Sequence, residues 1–135
     1  NRRRKHVRKT KKVSVMSKKG NNLVLTKTRH ARTTWERFMG LLGVSPREHH
    51  YALIFHLGKS GKLNAGIHML FMRMPIDVLF LDENKKIVDF IEQLQPWNPN
   101  YTPRKESLYI VELPAGTLHD LNIKLNKTSV SWKEK

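Results

Sequence analysis

At 135 residues the chain has the length of one ordinary domain, able to bury roughly two thirds of its unfolded surface without a disulfide or structural metal. It contains no cysteine, which excludes disulfides, thiolate metal sites and cysteine nucleophiles, and no apolar run reaches the ~18 residues of a membrane-spanning helix. Lys and Arg number 26 against 11 Asp and Glu, a formal charge of +15 with a sequence pI near 10.4, so a polyanion is the expected partner.

The charge is concentrated at one end. Arg2, Arg3, Arg4, Lys5, Arg8, Lys9, Lys11, Lys12, Lys18 and Lys19 fall within the first 19 residues with no acid among them, leaving 16 cations against 11 acids in the remainder. The chain therefore divides into a basic arm, residues 1–22, and a single β-rich domain, residues 23–135. So charged an arm cannot pack against itself and should be disordered in isolation. Val13, Val15 and Met16 offer only a short extended segment before the turn-forming Gly20-Asn21-Asn22. The arm lacks the apolar core of a secretory signal and the Leu and Ser content of a transit peptide, although a chain opening on Asn leaves room for a removed leader. With no cysteine and no signal, a cytoplasmic location is the expectation.

Leu23 to Thr26 reads as the first strand. The period then changes: Trp35, Phe38, Met39 and Leu42 fall at i, i+3, i+4 and i+7, which predicts one short helix over about 33–42. Thr33 and Glu36 form a capping box at its start, and Gly40 and Gly43 end it early. Strands are predicted at 51–57, 67–72, 76–81, 87–94, 108–113 and 129–132, with turns at 58–61, 82–86 and 98–103 and a helical turn at 117–121. Such short spacings leave no room for repeated crossover helices. The expectation is a mainly β fold, an antiparallel sandwich or partly closed barrel, with a mobile polar loop from Trp97 to Lys105.

Several motifs recur in a recognisable order: Arg37 with Gly40-Leu41-Leu42-Gly43, then Phe71, Met72, Pro75, Asp77, Phe80 and Asp82, then Pro96-Trp97, and last Tyr109 with Glu112-Leu113-Pro114-Ala115-Gly116. Together they resemble the family called domain of unknown function 192, over roughly residues 23–132, with the arm outside the resemblance. The resemblance implies a sandwich-like β core and no particular activity. The chain departs from that family's usual Leu-Gly-Ile-Lys and Gly-Asp pattern, having Leu121-Asn122-Ile123-Lys124 and Asn126-Lys127 instead. Asn tolerates the left-handed backbone, so the turns should survive.

Candidate chemistry is sparse. Asp77, set between Ile76 and Val78, should meet a cation, with Arg73 and Arg37 the candidates, or several amide donors; its structural reading is an ion pair or a cap of the Met74-Pro75 bend. The functional alternative is a pocket formed by Arg37, His68, Arg73, Asp77 and Trp97. His49, His50, His56 and His68 lack ligand spacing, so neither metal nor cofactor is expected, and His49 and His50 read as solvated loop residues. Trp97 either covers the end of the core or stacks on a ligand.

No nucleophile elbow, phosphate loop or paired-carboxylate motif is recognisable, and Asp77 stands as the lone embedded acid. The function expected is therefore non-enzymatic. The arm would anchor the domain to RNA, such as ribosomal RNA or another ribonucleoprotein, by phosphate contacts and counterion release. The alternatives are a small-ligand or metal-binding domain, conceivably enzymatic, and a binding module for an acidic protein or membrane surface.

Overall fold

The computed structural model describes residues 15–33, 36, 40, 44, 48–61, 73–96 and 101–133. Within them the chain forms β1 (Met16–Lys19), β2 (Asn22–Leu25), β3 (Thr28–Ala31), β4 (Ala52–Gly61), β5 (Ile76–Leu81), β6 (Ile87–Leu94), β7 (Ser107–Pro114) and β8 (Ser129–Ser131).

Side chains alternate across a strand, and in β5 both sets are apolar apart from Asp77. Ile76, Val78 and Phe80 pack on one face, Leu79 and Leu81 on the other, and the whole strand is buried. Such a strand needs cover on both sides. It lies inside a five-stranded sheet of order β3-β4-β7-β5-β6, beside a three-stranded sheet of order β1-β2-β8. One core joins Leu23, Leu25 and Val130 of the small sheet to Ile54, Leu79 and Val111 of the large one. The opposite face of the large sheet carries Leu53, Phe55, Val78, Phe80 and Ile110, with Val44 and Tyr101 packed against them. This is a sandwich-like, mainly β fold, the first of the two forms that the strand spacing predicts, and the described strands close no barrel.

Two pairings are parallel rather than antiparallel, β2 with β8 and β3 with β4. Parallel neighbours need a connection of about a dozen residues or more, and the segment between Ala31 and Ala52 supplies it. Its capping box is present: the Glu36 amide donates to Thr33 Oγ1 at 3.0 Å, and Glu36 Oε1 accepts from the amides of Thr33 at 3.1 Å and Arg32 at 2.8 Å. Gly40 N donates to Glu36 O at 2.9 Å, one helical turn later. The rest of the expected helix, and the strand expected at 67–72, lie outside the described residues.

The domain begins earlier than its hydrophobic pattern predicts. Val15 is buried, and Met16–Lys19 pairs antiparallel with β2, so the first strand precedes Leu23. Its cations disguise it in sequence: Lys18 and Lys19 are exposed on an edge strand, where lysines discourage pairing with another chain. The turn expected at 58–61 is instead strand, because β4 shifts register after His56 and continues to pair Gly61 with Ser107. Gly58, at φ +82°, permits the kink. Asn126, at φ +67°, takes the left-handed conformation where the resembled family favours Gly.

Candidate functional site

Asp77 is fully buried and is met by backbone amides. Its Oδ1 accepts from Gln93 N at 2.8 Å, and its Oδ2 from Gly116 N at 3.1 Å and Leu118 N at 2.9 Å. Gln93 sits where β6 bulges opposite Asp77, at φ +53°, and Gly116 sits in the turn after β7, at φ +93°. The carboxylate thus ties a bulge to a turn rather than capping the Met74-Pro75 bend. Arg73 is exposed, while Arg37, His68 and Trp97 lie outside the described residues, as do the arm cations Arg2, Arg3, Arg4, Lys5, Arg8, Lys9, Lys11 and Lys12.

Asp77 is not the lone embedded acid: Asp89 and Glu112 are buried as well. Asp89 accepts from Phe90 N, Tyr101 Oη and Arg104 N at 2.8–3.0 Å, which pins the end of the loop expected to be mobile. Glu112 lies on β7 opposite Leu53 and Val78, and burial pushes its carboxyl up to about 8. His49, expected in solvent, is buried edge-on to Tyr51 at 5.4 Å, and loss of hydration draws its pKa down to about 4. Alternation across a strand hides such groups in sequence, because a polar side chain between apolar ones ordinarily faces water.

Where the two sheets meet, the surface opens into adjoining clefts of about 440 and 490 Å³ that share Thr26, Thr28 and Lys133. One contains Lys27, Arg29, His50 and Tyr51, with the Arg29 guanidinium 4.1 Å above the Tyr51 ring. The other leads to Trp132 beside Val24 and Leu25. Among the described lining residues there are three cations and no acid. Lys27 and Arg29 are two residues apart, but Lys133 is over a hundred positions away, so only the fold brings it to them.

Behind Trp132 is a second cluster that sequence spacing does not reveal. His30 on β3 and His56 on β4 approach with Nδ1 of the former 2.8 Å from Nε2 of the latter. Tyr109 and Trp132 stand 5.5 and 6.3 Å from the His56 ring, centroid to centroid, and Lys85 Nζ sits 4.1 Å over the Trp132 ring. Of the histidines considered from sequence, His56 joins this cluster, His49 lies elsewhere and His50 is exposed, while His68 is outside the described residues.

No helix among the described residues is long and apolar enough to cross a membrane. The family model DUF192, described as uncharacterized ACR, matches residues 15–130, from the buried Val15 just before β1 to Val130 of β8. A UPF0127 protein of Pyrococcus furiosus is 43% identical over 90 residues, spanning 67% of this chain and 73% of the relative. A UPF0127 protein of Thermococcus sibiricus is 39% identical over 103 residues, and here the match spans 76% of this chain and 64% of the relative's length. A solved structure of a protein of unknown function from Novosphingobium aromaticivorans superposes with a TM-score of 0.65 at 18% identity, covering 81% of this chain and 77% of the other, which is a likeness of fold. With the match running from Val15 to Val130 across both sheets, the chain belongs to the DUF192 (UPF0127) family.

Proposed function

We propose that this protein binds single-stranded RNA without catalysing a reaction on it, the seam between the sheets taking the strand and the basic arm holding neighbouring phosphates. The cleft lining carries the proposal. A strand-binding groove needs cations spaced along the backbone and aromatic rings for bases, with no carboxylate to repel phosphate. Lys27, Arg29 and Lys133 meet the first need, and the half-buried Trp132 at one end meets the second, while the buried Tyr51 ring supports the Arg29 guanidinium from beneath. Single-stranded rather than duplex nucleic acid suits the site, since a sheet seam offers no helix to a groove.

Fluorescence anisotropy with a labelled structured RNA containing unpaired loops tests this. Affinity should be submicromolar at low salt, with a slope of log affinity against log salt of roughly −4 to −7 if about five to eight phosphates are neutralised. Deleting residues 1–14, which stops short of the buried Val15, should flatten that slope while leaving the domain folded. Combined Lys27→Glu, Arg29→Glu and Lys133→Glu should lower affinity at least tenfold with the arm intact. Unchanged affinity in both variants rejects the reading, and equal binding to anionic vesicles or an acidic peptide assigns the charge to another partner.

A further inference from the structure

We propose that His30 and His56 form a binding site for a late first-row transition-metal ion of the copper and zinc type, with coordination positions left open to an external ligand. The inference stands apart from RNA binding and rests on the convergence of two imidazole nitrogens.

The two rings come from neighbouring parallel strands. His30 pairs in register with Ile54, which places His56 two residues further along β4 on the same face. Their facing nitrogens are 2.8 Å apart and their ring planes are tilted by 37°. A metal held by both at the usual ~2.0–2.1 Å in tetrahedral geometry would set them roughly 3.3 Å apart. An opening of about half an ångström by side-chain rotation achieves this while the strands stay in register. Tyr109 packs edge-on against His56 and also against Trp132, at 5.3 Å, so the rings are preorganised rather than drawn from solvent.

The donor set selects the ion. Among the described residues no group of three or more His, Cys, Asp or Glu surrounds a common point, so the described part of the site offers two imidazole nitrogens and no hard carboxylate. Imidazole suits copper, zinc and nickel, whereas magnesium and calcium require oxygen ligands. In the metal-free pair one nitrogen carries the proton that the other accepts. On binding, that proton moves to the far nitrogen of its own ring, so that both facing lone pairs reach the metal without any change of oxidation state. Lys85 acts against a bound cation from its place over Trp132, and it favours an anion in an open position. The sequence expectation of no metal rests on local spacing, and these ligands are 26 residues apart, joined only by strand pairing.

The test is competition with a chromophoric indicator, using untagged, metal-free full chain. One equivalent of Cu(II) should bind in the micromolar range, more tightly than Zn(II), with no response to Mg(II). His30→Ala and His56→Ala should each weaken binding at least tenfold, whereas His50→Ala and His119→Ala should not. Lys85→Met should tighten it severalfold, a gain that adventitious surface histidines would not show. Cu(II) should quench a tryptophan signal that Trp132→Phe removes. Should either alanine variant fail to fold, His30→Gln and His56→Gln serve in its place, with an unchanged circular dichroism spectrum and a cooperative thermal melt as the check on integrity. An equivalent of copper kept by the double His30/His56 variant, or no binding by the parent chain, overturns the proposal.

Discussion

Replacing Asp77 by Ala should remove a single side chain and strand three backbone donors. The Leu118 amide is the costly one: Leu118 is buried, and an orphaned N–H there forfeits about 1–3 kcal/mol. Gln93 is exposed and Gly116 half-buried, so water can replace part of what they lose, at about 0.5–1 kcal/mol each. The sum is about 3 kcal/mol, which for a domain of this size lowers Tm by roughly 10 °C. Asp77→Asn keeps one acceptor oxygen and should cost about half as much. Urea titration gives the free energy, and amide exchange locates the loss: Gln93, Gly116 and Leu118 should exchange faster, together. Because amides hold the carboxylate, Arg73→Ala should add to Asp77→Ala within about 0.5 kcal/mol in a double-mutant cycle. A loss below about 1 kcal/mol, or unchanged exchange at Gly116 and Leu118, would refute the reasoning.

Two further expectations concern stability. Burial raises Glu112 from 4.5 to about 8, so the folded state binds its proton more tightly and stability falls as pH rises across that window; His49, lowered from 6.5 to about 4, makes stability fall as pH drops below 6.5. The two slopes oppose each other between about pH 4.5 and 6.5, and Glu112 acts alone above it, so denaturant titrations should lose on the order of 2 kcal/mol from pH 6.5 to 8, a loss absent in Glu112→Gln. A flat profile over that range in the parent chain contradicts the buried-acid assignment. Thr33→Ala removes the hydroxyl that accepts from the Glu36 amide and should cost about 1 kcal/mol in a thermal melt, with Thr33→Ser near neutral.

The strands that sequence reveals are those whose burial agrees with their composition. β5 and β6 coincide with the predicted 76–81 and 87–94 because segments of this length, rich in Ile, Val, Leu and Phe and bounded by turn residues, have few other solutions even with Asp77 and Asp89 inside them. β1 escaped because its Lys18 and Lys19 look like more of the arm, although the pairing of Met16 with Leu25 binds it to the domain. The Asp77 reading was half legible: a buried carboxylate must find donors, but that Gly116 and Leu118 supply them depends on β7 lying beside β5. The cleft and the His30–His56 pair were beyond reach, since strand partners far apart in sequence create both, and no local spacing encodes a pairing of β3 with β4.

The parallel pairing of β2 with β8 has a consequence in time. Asn22 lies opposite Ser129, and the Asn22 side-chain amide donates to Ser131 Oγ across 109 positions of chain. A contact of such span closes only after the intervening strands have formed, because its loop entropy must be met before it contributes anything. On a ribosome that delivers about 5–20 residues per second, β1 and β2 would wait for several seconds as an unattached hairpin while the large sheet is still being made. Trp132 and Lys133, beyond β8, arrive later still and complete the cleft against Thr26 and Thr28. The cleft would therefore close only once Trp132 and Lys133 have been made, and a chain cut short before Ser129 would lack both the β2–β8 pairing and the wall that those two residues supply.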